Sequence, residues 1–404
     1  MLRAFVLLAL LSGLAWWLNG EREHGRFRQV DEFFLDFMLA NARPRLKPDP
    51  AKLGEVVFVR LREEDKKEYA GWPPLPIDYL MIARGLAAFD PGVLVIADPL
   101  NWKSPKPDSL PELAQALLPI PGVVIGVEAS SGGAADLVTI KFVADHLPAL
   151  ERLHGQAELL PGLHKLAGLP EPVLLPQRDI GVVTGPPWFM ALRLRDHAVP
   201  SLVLVALSRA SRTPFAHQRL HTGPGAGVHL GDALFVPLQD DGSIVPVSLT
   251  IPSVNGLDLM TSDMIDPEGG AAKILGKGKT IVMGIDNDGT IATPARAQAQ
   301  AIAGALALPR VRVLTFVEQI AAWIVAALLG LSLLRLPKHK AVGGALLRLF
   351  AALVASYLAF QGALIWCPPA IPVALIAAAG LFVRLLGKKD PALIPAPSPL
   401  VPKP

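Results

Sequence analysis

Three apolar stretches in the first third of the chain decide the fold: VVFVRL at residues 56–61, VLVIA at 93–97 and VVIGV at 123–127. Their β-branched residues continue without polar alternation, as in strands that are buried on both faces. Segments 76–89 and 108–117, which lie between them, are long enough to be crossover helices. The sequence therefore predicts an α/β domain with a mixed, mainly parallel sheet and helices on both faces.

The same alternation of strands and helices continues downstream. Residues 233–237 and 244–249 flank the turn sequence QDDG at 239–242, which predicts an antiparallel strand pair. We expect this pair to extend the parallel sheet as an antiparallel addition. The other elements predicted by apolar patterning are strands at 191–195 and 280–285 and helices at 201–211 and 295–308.

The composition indicates a membrane protein. Hydrophobic residues make up 51% of the 404 residues and charged residues only 18%, below the roughly one quarter of soluble domains. So apolar a chain is not expected to be disordered. The 38 Lys and Arg against 35 Asp and Glu give a net charge of +3, which is too balanced for a nucleic-acid-binding surface.

Four segments are long and apolar enough to be transmembrane helices, which need about 20 residues each. The segment at 2–18 is interpreted as an N-terminal anchor, with a cleaved secretory signal as the alternative. Residues 19–315 then form one large domain. Residues 387–404 contain six prolines and are expected to form a tail without a packed core. The other three predicted membrane helices are at 316–334, 341–365 and 370–386.

The basic residues of the short loops predict the orientation. Arg335, Lys338 and Lys340 lie between the second and third membrane segments, whereas the turn WCPP at 366–369 carries no charge. Because basic loops stay in the cytoplasm, we expect both termini inside and residues 19–315 outside. The expected location is the bacterial inner membrane, with the lipid bilayer as a partner.

Several short pieces, taken in order, resemble a known family. Together with one apolar segment before them and three after, they resemble the type-2 CHASE domain, an extracytoplasmic sensory module of bacterial signalling proteins. The resemblance covers almost the whole chain and implies a sensor. The matching pieces are FLD at 34–36, VVFV at 56–59, GWP at 71–73, GVLVIAD at 92–98, PSL at 200–202, GKTIVMG at 278–284 and TP at 293–294.

The sequence also departs from the family pattern. RLR at 60–62 stands where such domains carry an acidic pair, and PLP at 74–76 replaces an arginine that commonly follows Trp-Pro. The proline-rich residues 387–404 stand where family members continue into a kinase, cyclase or similar output domain. We therefore expect no catalytic output domain, and signalling through a separate partner.

Asp98 and Trp72 are the candidate ligand-binding residues. Asp98 ends a predicted buried strand at its carboxyl edge, where ligands bind in open α/β sheets. Trp72 is able to stack on a ligand or to line a pocket. The alternative, which is the commoner one for such residues, is an Asp that caps a helix and a Trp that packs in the core.

Two short motifs resemble motifs of functional sites, but their neighbouring residues do not match those sites. A phosphate-binding loop that ended in GKT at 278–280 would need a glycine at position 273, where this chain has Lys273. The motif also leads into a strand instead of a helix. Ser201 has no nucleophile elbow around it, so it is interpreted as a helix N-cap. We predict no catalytic residues and no cofactor.

Metal binding is also disfavoured. His217 and His221 have the spacing of one helix face, but a third ligand, His229 or Asp232, lies across a glycine-rich loop. DNDG at 286–289 lacks the later Glu of a calcium loop. The single cysteine, Cys367, excludes both an intrachain disulfide and cysteine-based metal clusters.

Two functions remain open at this point. The first is a sensory or signal-input protein, expected to be a homodimer, in which an outside ligand or protein shifts the membrane helices. A separate partner then detects that shift at Arg335, Lys338 and Lys340. The alternative is a membrane-anchored scaffold or assembly subunit of an envelope complex. An exported enzyme is disfavoured, because no nucleophile–base set or carboxylate pair is found.

Overall fold

The computed structural model of this chain forms two compact units. A helical unit consists of Met1–Pro44 and Val311–Pro404, and an α/β unit consists of Arg45–Arg310. The domain bounds at 19 and 315 were predicted from the expected membrane boundary, and they stay a prediction. The predicted tail at 387–404 lies outside the described residues. The structure describes residues 2–24, 27–100, 102, 109–130, 150, 153–154, 157–162, 165–166, 178–184, 187–194, 197–231, 233–244, 249–260, 273–286 and 293–386.

The α/β unit is built on a mainly parallel sheet, as predicted. Its parallel strands lie in the order β12-β1-β13-β2-β3-β6, and β5 pairs antiparallel with the last two residues of β3. The strands, in chain order, are β1 (Val56–Arg62), β2 (Val93–Ile96), β3 (Gly122–Ser130), β4 (Leu153–His154), β5 (Lys165–Leu166), β6 (Arg178–Val183), β7 (Ala191–Leu194), β8 (His197–Pro200), β9 (Gln218–His221), β10 (Gly227–Leu230), β11 (Leu234–Pro237), β12 (Ser253–Asn255), β13 (Thr280–Asp286), β14 (Arg312–Val313) and β15 (Ile365–Trp366).

Helices cover both faces of this sheet because its side chains alternate and are apolar on each face. Val57 and Val59 of β1 join one buried cluster with Leu80 of α3. On the other face, α5 approaches Gly181 of β6 and α7 approaches Gly284 of β13. The helices are α1 (Leu2–Glu23), α2 (Arg28–Ala42), α3 (Pro76–Ala87), α4 (Ser109–Ala116), α5 (Leu202–Ser211), α6 (Leu257–Met260), α7 (Pro294–Leu306), α8 (Phe316–Ser332), α9 (Ala341–Ala363) and α10 (Ala370–Leu386).

Local chemistry fixes where these helices begin. Ser201 Oγ accepts a hydrogen bond from the Leu204 N–H at 3.3 Å, which confirms its interpretation as the N-cap of α5. α7 has the same design, with Thr293 as N-cap and Pro294 as first residue. Apart from the predicted strand at 244–249, the predicted helices and strands of this unit are present, with ends that shift by a few residues.

The predicted strand pair at 233–237 and 244–249 does not extend the parallel sheet, so that expectation is wrong. β11 lies in a separate sheet of order β11-β10-β9-β4, in which β4 runs parallel to β9, and β7 pairs with β8 in a hairpin. β11 pairs with β10 rather than with the predicted strand at 244–249. Of the predicted pair, Leu238 and Ile244 form one antiparallel bridge around Gly242, whose φ is +83°, and residues 245–248 lie outside the described part.

Within the described part of the helical unit, three helices are long and apolar enough to cross a membrane: Leu2–Arg22, Phe316–Arg335 and Lys338–Ala363. The first of them, α1, extends past its predicted end at residue 18 to Glu23. α10 occupies the predicted segment 370–386, but with 17 residues it is shorter than these three. Length alone therefore shows three candidate membrane spans.

α10 nevertheless packs closely against the other helices of the unit. Ile371, Leu375 and Ala379 are at most 2% exposed and join one apolar cluster with residues of α1, α8 and α9. Small residues allow this approach, since a Cβ on Gly330 of α8 would lie only 2.8 Å from the Cβ of Ala379.

Candidate functional site

Asp98 lies just past the carboxyl end of β2, as the sequence predicts. Its Oδ2 accepts a hydrogen bond of 2.7 Å from the Ile285 N–H on the neighbouring strand β13. It also accepts a longer one of 3.4 Å from the Tyr79 hydroxyl on α3. Gly284 leaves room for the carboxylate, because a Cβ there would lie 3.3 Å from both of its oxygens. Asp98 thus ties two strands to a helix.

Burial raises the pKa of Asp98 to about 7, although the hydrogen bonds from Ile285 and Tyr79 favour the carboxylate. Burial and the neighbouring Asp98 also raise the pKa of Tyr79 well above its ordinary value. Tyr79 therefore keeps its proton and remains a hydrogen-bond donor. Asp98 exchanges its proton close to neutral pH.

We expect the stability of the α/β unit to fall as the pH rises from about 4 to about 7. Asp98 loses its proton near pH 3.9 in the unfolded chain but only at about 7 in the folded one, so the folded state holds the proton more tightly. This contribution is fully present below about pH 4 and is lost as the pH rises through 7. Asp98→Asn, which cannot ionise, should flatten this part of a profile of Tm against pH.

The matched control is Asp258→Asn, because Asp258 is exposed on α6. This variant should keep the wild-type slope between pH 4 and 7. An Asp98→Asn profile with that same slope would show that Asp98 titrates normally.

Trp72 is partly buried against the core of the α/β unit, with its ring centroid 5.7 Å from that of Tyr69. A second indole, Trp102, donates from Nε1 to the Pro74 carbonyl at 3.0 Å and lies edge-on to Tyr79 at 5.8 Å. The sequence did not single out Trp102 or Tyr79. These contacts favour the packing alternative for Trp72.

A second carboxylate at this edge, Asp286 at the end of β13, is also satisfied internally. It forms an ion pair with Arg296 of α7 and accepts a hydrogen bond of 3.3 Å from the Thr293 hydroxyl. It is 1% exposed, and Arg62 of β1 is its register partner. Asp286 therefore fastens α7 to the sheet, while the predicted turn residues 287–289 lie outside the described residues.

A cavity of 680 Å³ opens at the opposite, amino-terminal edge of the sheet. Gly92, Gly122 and Thr280, where β2, β3 and β13 begin, line one side of it, and Arg209 and Arg212 at the end of α5 line the other. This volume is within the range of small-molecule sites, and guanidinium groups favour an anionic ligand. The cavity is therefore the better candidate ligand site of the α/β unit.

The two arginines of the cavity differ in their contacts. Arg209 Nη2 donates to Asp179 Oδ1 of β6 at 2.8 Å, and its Nε contacts the other carboxylate oxygen. Arg212 is exposed and caps α5 in the left-handed conformation, with φ +55°. Sequence reasoning missed this site because its residues come from four distant segments. Gly278 and Thr280, which belong to the GKT sequence at 278–280, line the cavity. This sequence leads into strand β13, as predicted, and not into a helix.

The histidines do not form the helix face considered from the sequence. His217 ends a short 3-10 helix and His221 ends strand β9. His229 is buried in β10 against the ring of Phe235, at 4.8 Å, and Asp232 lies outside the described residues. Among the described residues, no group of three His, Cys, Asp or Glu side chains is placed to hold a metal ion.

At one end of the helical unit lie Arg335, Lys338 and Lys340, which we call the basic end. Lys338 Nζ donates to the Leu385 carbonyl in the last turn of α10 at 2.9 Å. Arg335 follows the carboxyl end of α8, and Lys340 precedes α9. The carbonyl ends of α8 and α10 carry partial negative charge, which these cations complement.

The opposite end carries a polar network, which we call the clamp: Arg22, Asp31, Gln319, Gln361 and Ala370. Arg22 of α1 donates to Gln319 of α8 at 2.7 Å and forms an ion pair with Asp31 of α2 at 3.3 Å. Asp31 also accepts a hydrogen bond from the Ala370 N–H of α10 at 3.2 Å. Gln361 of α9 donates to a backbone carbonyl of α2 at 3.0 Å. The clamp thus links α1, α2, α8, α9 and α10.

The helices that precede and follow the α/β unit in the chain, α2 and α8, both take part in the clamp. The chain enters the α/β unit at Arg45, three residues after α2 ends. It leaves at Arg310, and β14 then pairs in parallel with β15 in the turn between α9 and α10. Sequence reasoning missed the clamp because its partners are up to 339 residues apart.

No protein-family model, curated protein or solved structure matches this chain. The resemblance to type-2 CHASE domains therefore rests on the short sequence pieces alone. The features that bear on function are the cavity of the α/β unit and the two ends of the helical unit.

Proposed function

We propose that this is a membrane-bound signal-input protein that signals through a separate partner. The α/β unit receives a stimulus outside the cytoplasm, and the helical unit passes it to a separate cytoplasmic partner. The clamp is the observation that supports this proposal most. It hydrogen-bonds α2 and α8, the helices that precede and follow the α/β unit in the chain, to α1, α9 and α10, so a change that reaches either helix has a route to the others.

The proposal has α1, α8, α9 and α10 each crossing the bacterial inner membrane. α10 begins at the clamp with Ala370 and ends beside Lys338 at the basic end, so it runs the full distance between the two ends. Its 17 residues span about 25 Å, which is shorter than the hydrocarbon thickness of about 30 Å. Local thinning of the bilayer accommodates this difference. Basic loops stay inside, so the basic end faces the cytoplasm and the α/β unit lies outside.

A stimulus acts only if it binds two arrangements of the helices with different affinity. The cavity beside Arg209 and Arg212 is the proposed stimulus site, and the exposed guanidinium group of Arg212 favours an anionic ligand, since Arg209 is already paired with Asp179. Helix shifts of about 1–2 Å are sufficient for such switching. The small-residue contacts of α10 permit shifts on this scale without opening large gaps.

The partner is tested by crosslinking and co-purification of the full-length protein from native membranes. We expect a cytoplasmic kinase, cyclase or similar signalling enzyme at the basic end. The triple variant Arg335→Gln, Lys338→Gln, Lys340→Gln should lower its recovery roughly tenfold, as expected for three exposed ion pairs of about 0.5 kcal/mol each.

The control variant Arg43→Gln, Arg45→Gln changes two basic residues just after α2 instead and should keep the partner. Recovery of envelope proteins alone, equally from the wild type and the triple variant, would contradict the signalling proposal. That result would favour the scaffold, in which the α/β unit serves for protein docking.

A further inference from the structure

Helix α2 carries an apolar stripe on its outward side. Val30, Phe33 and Phe37 are 46%, 70% and 54% exposed, and their spacing places them on one side of the helix. The other side is the one that packs in the helical unit, where Leu35 and Leu39 are at most 2% exposed. A helix that is apolar on two opposite sides needs a second apolar environment.

The stripe lies level with the membrane-crossing part of α9. The ring of Phe37 is 6.4 Å from that of Tyr357, which lies six residues, or about 9 Å, before the end of α9 at Ala363. Leu358, the next residue of α9, is 62% exposed. The stripe is therefore continuous with the surface that α9 presents to the hydrocarbon of the bilayer.

The polar groups near the stripe suit a membrane interface. The Asn41 side chain donates to the Phe37 carbonyl at 2.7 Å, which gives this polar amide a hydrogen-bond partner that lipid cannot provide. Trp16 and Trp17 of α1 are 82% and 53% exposed, about one and a half turns before the clamp residue Arg22. Indole rings are enriched at this depth in membranes.

We propose that α2 lies in the membrane leaflet at the clamp end, with Val30, Phe33 and Phe37 in contact with lipid acyl chains. Residues 28–42 then belong to the membrane part of the protein, although the sequence pattern assigns them to the outer domain. The segment that leads into the α/β unit is anchored at the membrane surface. This inference requires the helical unit to be in a membrane, but it does not depend on signalling.

The test uses the full-length protein with Cys367→Ser, reconstituted in phosphatidylcholine vesicles, with a nitroxide on Phe33→Cys. Collision rates with oxygen, which concentrates in lipid, and with a water-soluble nickel complex report the environment of the label. Phe350→Cys on α9, where Phe350 is 66% exposed, is the lipid control. Glu112→Cys on the α/β unit, where the side chain is 56% exposed, is the water control.

We expect the oxygen-to-nickel ratio at position 33 to be several-fold above that at 112 and close to that at 350. A ratio equal to that at 112 would overturn the proposal. Low collision rates with both reagents, with spin–spin broadening that disappears on dilution with unlabelled protein, would also overturn it in favour of a second copy on the stripe. Phe37→Cys repeats the measurement independently, in case the label at 33 disturbs folding.

Discussion

Gly181→Ala is expected to lower the free energy of unfolding of the α/β unit by about 3 kcal/mol, the upper part of the range for overpacked cores. A Cβ at this position in β6 would lie 2.4 Å from the Leu202 Cα and 2.8 Å from its N. These are backbone atoms at the start of α5, so no side-chain rotation relieves the clash. Thermal unfolding of the full-length protein should show a decrease in Tm of roughly 5–10 °C.

The matched control is Gly54→Ala in the same unit, since a Cβ there meets nothing within 4 Å. We expect its Tm to change by less than about 2 °C. Equal Tm values for the two variants would mean that α5 does not rest on β6 as described.

Asp31→Ala is expected to open the clamp. The variant removes the acceptor of the Ala370 N–H and leaves Arg22 without this ion-pair partner. A hydrogen bond to a charged group contributes about 1.5–3 kcal/mol, so hydrogen–deuterium exchange at the start of α10 should become about 10- to 150-fold faster. Asp31→Asn keeps an acceptor but loses the charge, and should give an intermediate rate.

Asn41→Ala provides the control on the same helix. The side chain of Asn41 is exposed, and its hydrogen bond goes to α2 itself, at the Phe37 carbonyl. Exchange at the start of α10 should stay at the wild-type rate in this variant. Equal acceleration by Asn41→Ala and Asp31→Ala would mean that fraying of α2, and not loss of the clamp, controls α10.

The parallel sheet and the candidate membrane spans could be predicted from sequence because each leaves a local pattern. A buried parallel strand such as β1 or β13 is a short continuous apolar run, and a helix that is long and apolar enough to cross a membrane, such as α9, is a longer one. The N-cap role of Ser201 was equally local. The separate antiparallel sheet was missed because short strands such as β9 and β10 carry too little pattern to identify their partners.

The candidate sites were less predictable, because they depend on contacts between distant residues. Asp98 was found through its place at a strand end, but its partners Ile285 and Tyr79 were not. In the sequence, Asp31 is an ordinary acidic residue of an amphipathic helix. Its contacts with Arg22 and Ala370 depend on the fold, so they could not be predicted from the sequence. The exposed side of α2 looked like part of the outer domain, since an apolar stripe has the same pattern in a core and in a bilayer.

In the proposed function, the clamp transmits a structural change of the α/β unit to the helices of the helical unit. A double-mutant cycle measures this coupling directly, with hydrogen–deuterium exchange at residues 316–322 of α8 in the full-length protein in lipid nanodiscs. Gly181→Ala disturbs the α/β unit, and the pair Arg22→Ala, Asp31→Ala removes the clamp.

We predict that Gly181→Ala changes exchange in α8 when the clamp is intact and has little effect when the clamp is removed. The effect of Gly181→Ala on the free energy of local opening in α8, obtained from the exchange rates, should differ between the two backgrounds by more than about 0.5 kcal/mol. Effects of independent sites usually agree within this limit. The same change in both backgrounds, or no change in either, would contradict coupling through the clamp.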